Sequence, residues 1–158
     1  MPVAFNIRHL EEKVLRLEGE LPVEELDLEG ADELIHAQEP LSYDMEVERF
    51  ERGILAQGKL EIQLQCECAR CLRRYPFSLV LDPWACHLAL EGDEKVPIVN
   101  DSVDLTRYMR EDILLALPQH PLCDPECKGL VNNLSKPGAG RKPEEVPAAW
   151  AELNKLKF

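Results

Sequence analysis

The sequence predicts an α+β fold: an antiparallel β-meander sheet, open or partly closed, with a few short helices and a cysteine-containing C-terminal loop region. Three observations predict it. Leu60, Ile62, Leu64, Cys66 and Cys68 occupy every second position, with Lys59, Glu61, Gln63, Gln65 and Glu67 between them. That alternation describes a strand with one buried face and one wet face. Similar alternation recurs on both sides of it, at the spacing of consecutive hairpins. A helical stripe appears only later, in DLTRYMREDILLALP at 104–118. The open form with helices on one side is favoured, because the meander has one polar face and few helices to cover it.

The elements follow in chain order. Val3, Phe5 and Ile7 alternate, as do Leu15, Leu17 and Leu21 with a skip at Gly19, so 3–21 reads as one or two short strands. PVEELDL at 22–28 opens on Pro with acids in its first turn and reads as a short helical turn. Residues 29–40 read as loop. Leu41, Tyr43, Met45 and Val47 alternate again, and the chain turns at Gly53. The strong run of 60–68 comes next. A third strand begins at Phe77, Leu79 and Leu81, then shifts phase after Asp82-Pro83 to Trp84, Cys86, Leu88 and Leu90. A one-residue shift at a proline predicts a bulge or edge bend. In the 104–118 helix Asp104 is the expected N-cap, Leu105, Tyr108, Met109, Ile113 and Ala116 form the stripe, and Pro118 stops it. Pro121, Pro125, Pro137 and Pro143 with Gly138 and Gly140 mark irregular chain beyond. PAAWAELNKLKF closes the sequence as a short helix. The expected organisation is one α+β domain over 1–130, a flexible Pro/Gly/Lys loop over 131–146, and a C-terminal helix over 147–158 packing back on the domain.

At 158 residues the chain can bury a real core without cross-links. No stretch approaches the roughly 20 apolar residues of a membrane span. MPVAFNIRHLEEKVLRLEGE lacks the apolar run of a signal peptide. A cytoplasmic protein is expected, with no membrane partner. In a reducing compartment its six cysteines point to metal, chemistry or packing before disulfides.

Cys66 is in phase with the buried face, and Cys86 lies between Trp84 and Leu88. Both read as small core residues. His87 reads as a surface residue. Cys68 and Cys71 differ, because they bracket a turn between two strands at the spacing of a zinc knuckle. Thioredoxin-like chemistry uses the same spacing, but at a helix N-terminus in a βαβ context. Cys123 and Cys127, around Asp124-Pro125-Glu126, also fall within zinc-ligand spacing. The expected metal ligands are therefore Cys68, Cys71, Cys123 and Cys127, with Zn²⁺ as the ion. Joining the two pairs costs about 3–4 kcal/mol of loop closure, whereas structural zinc supplies about 10–16 kcal/mol. The bland alternative is two unrelated, reduced, empty pairs.

The net charge of -12 argues against a general nucleic-acid coat. The charge is uneven, however. Arg70, Arg73 and Arg74 surround the first pair, and Lys128, Lys136, Arg141 and Lys142 follow the second. These seven are the candidate nucleic-acid or partner-binding residues. Half of the 30 acids lie in the first 51 residues, where Glu18, Glu20, Glu24, Glu25, Asp27 and Glu29 cluster. That end suits a basic protein partner. No Gly-rich phosphate loop and no HExxH motif is present. Of His9, His36, His87 and His120, only His120 lies near a late cysteine. No enzymatic activity and no small-molecule substrate are expected. The alternatives are a cytoplasmic thiol redox protein and a metal-free interaction module.

CARC at 68–71 after an alternating strand, EDILLALP at 111–118, PLCDPECKGL at 121–130 and AWAELNKL at 149–156 together resemble the YceD-like family, the large ribosomal RNA subunit accumulation proteins. The likeness covers residues from about 41 to the end, and the earlier LEGELP fits it too. It implies an α+β, non-enzymatic factor supporting large-subunit ribosomal RNA accumulation and ribosome assembly, with ribosomal RNA or a basic ribosomal protein as partner. Carried over, the thiols are Cys68, Cys71, Cys123 and Cys127. Arg70 falls inside the first pair, and Glu111 opens the helix motif. There is one departure. Many members follow CKGL with a further pair resembling CPxCG, whereas this chain reads CKGLVNNLSKP. Zinc here must recruit Cys68 and Cys71, or take fewer thiolates plus His120.

Overall fold

The computed structural model describes residues 2–130. β1 (Ala4–Asn6) leads into a 3₁₀ turn at Ile7–Glu11. β2 (Leu15–Leu21), α1 (Val23–Leu26), β3 (Ile35–Ala37), β4 (Leu41–Phe50), β5 (Gly53–Glu67), β6 (Arg74–Ala89), β7 (Ser102–Asp104) and α2 (Thr106–Ala116) follow. β2 pairs with β4, and β4 pairs with the first half of β5. β3 pairs with the far end of β5, through Ile35 opposite Cys66 and Ala37 opposite Leu64. β6 runs along the other edge of β5 from end to end. All these pairings are antiparallel, and β1 and β7 form a separate two-stranded ribbon. No pairing joins β2 to β6 among the described residues, so the meander stays open.

Alternation decides what is buried. Ile54, Ala56, Leu60, Ile62, Leu64 and Cys66 point from β5 into the core. They meet Met45 and Val47 from β4, and Leu105, Met109 and Ile113 at α2. Polar contacts also tie α2 to β6 and to α1. Trp84 Nε1 donates to Asp112 Oδ2 at 2.7 Å, and Arg110 Nε donates to the Leu26 carbonyl at 2.8 Å. The expected bulge is present. Gly58 faces Trp84 and Leu60 faces Leu81, so Lys59 stands opposite both Asp82 and Pro83. The extra residue belongs to β6, which is why its apolar phase changes while that of β5 does not. A β-carbon on Gly58 would collide with the Asp44 carbonyl oxygen, so the neighbouring strand fits only against glycine.

Four expectations need correction. Residues 29–40 contain β3, whose single buried side chain, Ile35, leaves no alternation to read. The Val3–Ile7 run is a three-residue strand followed by the 3₁₀ turn. β6 starts at Arg74, three residues before Phe77, because its first residues pair across the hairpin tip with Gln65, Cys66 and Glu67. Helix α2 starts at Thr106, with Leu105 as N-cap. Asp104 still serves the helix start, accepting the Thr106 N–H at 2.8 Å, but its backbone ends β7. The expected loop at 131–146 and helix at 147–158 lie outside the described residues, as do Lys136, Arg141 and Lys142.

Candidate metal centre

Cys68 continues the inward-facing series of β5 by one step and is 0% exposed. The chain then reverses. The Cys68 N–H donates to Arg73 O and the Leu72 N–H to Cys68 O, both at 2.9 Å, with Leu72 at φ +60°. This turn carries the half-buried Cys71 back beside Cys68. The second pair sits in its own turn. The Cys127 N–H donates to Asp124 O at 3.0 Å, and Asp124 Oδ1 accepts the Glu126 N–H at 2.8 Å. Aspartate before proline is suited to that turn, since its carboxylate bonds the backbone two residues on.

Two contacts fasten one turn to the other. The Ala69 N–H donates to Pro121 O at 2.7 Å. Arg70 Nη1 donates to Cys127 O at 2.9 Å. As a result all four sulfurs lie within 4.8 Å of one another. Cys68 and Cys127 sulfurs are 3.7 Å apart, and those of Cys71 and Cys123 are 3.6 Å apart. A tetrahedral zinc with Zn–S bonds of about 2.3 Å sets its sulfurs about 3.8 Å apart. A disulfide would need about 2.05 Å. The donor set therefore fits a soft, four-coordinate ion.

Proton affinities in the cluster are split. The backbone N–H of Cys123, then that of Cys71, donates to the Cys68 sulfur and lowers its pKa to about 6, against the opposing effect of burial. Cys123 is pushed up to about 12, first by its bond to the Cys71 sulfur and then by burial and its contacts with Cys127 and Cys68. Without metal, negative charge is thus favoured at Cys68 over Cys123. A cation in the middle reverses that balance, because it binds thiolates.

The other thiols stand apart. Cys66 is buried, and burial raises its pKa despite a bond with Tyr75. Cys86 is half-buried and raised to about 11, by burial first and then by Asp112 and Glu111. His120 is exposed and outside the sulfur group.

The basic residues separate into two kinds. Arg70 and Arg74 are exposed but already partnered, the first by Cys127 O and the second by Glu67 at 3.2 Å. Arg73 and Lys128 are exposed and make no ion pair among the described residues. The bond from Arg70 to the second turn was not legible from its position between two cysteines. The signal that would have found the second turn is Asp-Pro inside CDPEC.

No helix among the described residues is long and apolar enough to cross a membrane. No solved structure matches the chain. Among curated relatives, an uncharacterized protein of Mycobacterium tuberculosis H37Rv is 30% identical over 130 residues, covering 72% of this chain and 60% of the relative. An uncharacterized Mycobacterium bovis protein matches with the same figures. A Mycobacterium leprae relative, also uncharacterized, is 23% identical over 134 residues, covering 74% of this chain and 59% of its own length. The chain thus spans about 60% of the length of these relatives. The model of one protein family matches residues 56–157, a span that begins inside β5 and takes in both cysteine pairs. The chain therefore belongs to the large ribosomal RNA subunit accumulation protein YceD family.

Proposed function

We propose that this protein is a non-enzymatic factor supporting large-subunit ribosomal RNA accumulation, and that Cys68, Cys71, Cys123 and Cys127 hold one structural Zn²⁺ beside a small basic surface that contacts ribosomal RNA. The observation carrying the metal reading is the approach of four sulfurs from two distant turns to tetrahedral spacing. When bound, the ion supplies a cross-link between the hairpin tip and the segment after α2. The chain's own part is to hold the turns in register through Ala69, Arg70 and Asp124. Arg73 and Lys128 are then held on either side of the joined turns. Guanidinium and ammonium groups placed in this way suit phosphate contacts.

Fluorescence anisotropy with large-subunit ribosomal RNA fragments tests the reading. Affinity is expected to fall with salt, and Arg73→Glu with Lys128→Glu to weaken binding and reduce the salt slope by about 2, about one per lost phosphate contact. No binding at low salt would contradict it. A basic ribosomal protein is the second reading, favoured by a groove lined by Glu20, Glu24, Asp27 and Glu29 with no Lys or Arg in its wall. Co-purification of such a protein without RNA affinity would select it.

A further inference from the structure

The four sulfurs are close but unequally reachable. Cys123 is exposed, Cys71 and Cys127 are half-buried, and Cys68 is fully buried. The Cys123 sulfur lies 3.6 Å from that of Cys71, across the junction between the two turns. The second cross-junction pair, Cys68 and Cys127, stands at 3.7 Å. Elsewhere among the described residues neither remaining thiol has this arrangement. Cys66 is sealed in the core, and Cys86 faces Asp112 and Glu111 with no second sulfur beside it.

We propose that Cys123 is a modification site for hydroperoxides and that Cys71 resolves it, so that oxidation closes a reversible Cys71–Cys123 disulfide across the two turns. The inference deepens the metal reading above, since the same four thiols are involved, but the pairing itself depends only on exposure and distance. As a ligand of the bound ion Cys123 would be held as a thiolate, and in that form its sulfur attacks one peroxide oxygen. An S–O bond forms, the O–O bond breaks, and the leaving oxygen departs as water (or alcohol) after taking a proton. Cys123 is then a sulfenic acid, the reversible rung of thiol oxidation. The Cys71 thiolate attacks the Cys123 sulfur. The S–S bond forms, the S–O bond breaks, and hydroxide leaves and is protonated to water. The two sulfurs lose two electrons and the hydroperoxide gains two. Only Cys68 and Cys127 remain as thiolate donors, too few for a closed structural zinc site. The disulfide nevertheless keeps the two turns joined, so the sheet and α2 persist while the ion is released.

The test uses the full chain as purified. Zinc is measured first. One equivalent of hydrogen peroxide is then added, zinc release is followed with a colorimetric chelator, and disulfides are mapped by mass spectrometry without reduction. The expected first product is Cys71–Cys123, reversed by dithiothreitol, with release of the bound zinc and far-UV circular dichroism unchanged. A first disulfide within one turn, Cys68–Cys71 or Cys123–Cys127, would overturn the proposal. So would oxidation of Cys86 ahead of Cys123. Protein lacking zinc at the start contradicts the zinc reading instead, and the disulfide map of that same sample still decides the pairing. As a second variant, Cys86→Ser leaves all four cluster thiols in place and is expected to give the same map and the same release rate.

Discussion

Cys68 and Cys123 are chemically different although both belong to one cluster. Cys68 accepts backbone N–H groups and loses its proton near pH 6, whereas Cys123 keeps its proton to about pH 12. Metal entry must expel the protons that remain. At neutral pH Cys68 is already ionised, so a proton must still be released from Cys123. Below about pH 6 Cys68 takes up a proton too, and affinity should fall more steeply with pH. Buffer-dependent calorimetry of Zn²⁺ binding between pH 5.5 and 8 checks this sign, and affinity that does not change with pH would contradict it. Cys86 presents the opposite case. Its folded pKa of about 11 exceeds the ordinary thiol value of about 8.5. The protonated form is favoured in the fold, so its stability contribution is complete below about pH 8.5 and is lost as pH rises through 11. Cys86→Ala should flatten that alkaline decline in urea titrations at pH 8 and 10.5.

Among the elements, the second half of β5, from Leu60 on, was legible residue by residue, whereas its first half, from Gly53, was not read as strand. The even-numbered residues Leu60, Ile62, Leu64, Cys66 and Cys68 follow one another at every second position, and the structure buries all of them. The phase change of β6 was also legible, and it marks a true extra residue opposite Lys59. By contrast, β3 and β7 were not legible. Each is three residues long and exists because a distant partner supplies hydrogen bonds, which local pattern does not record. Gly58 tests the bulge. Gly58→Ala should destabilise the fold by about 1–3 kcal/mol, because the added carbon meets backbone rather than a yielding side chain. Unchanged urea midpoints would show that β4 shifts freely. Ile113→Ala on α2 removes a buried branched side chain at the sheet. It should cost about 2–5 kcal/mol in the same titration.

At the scale of the molecule, the spacing of the four thiols suggested a shared site, but only the folded chain makes it one. The third strand and α2 return residues 121–127 to the hairpin tip, and Pro121 O and Cys127 O are seized there by Ala69 and Arg70. That return was legible as a possibility of chain length. The backbone contacts that enforce it were not, because they depend on carbonyl positions rather than residue types. The same geometry reduces the basic patch. Sequence offered seven cations near the thiols, and two of them, Arg70 and Arg74, already have partners within the chain. The proposed phosphate contacts therefore rest on Arg73 and Lys128 among the described residues. Zinc K-edge X-ray absorption on protein purified without added metal tests the central claim most directly. The account predicts about one zinc per chain with four sulfur neighbours at about 2.3 Å. A chain free of metal, or a zinc with nitrogen or oxygen replacing any of the four sulfurs, would contradict it.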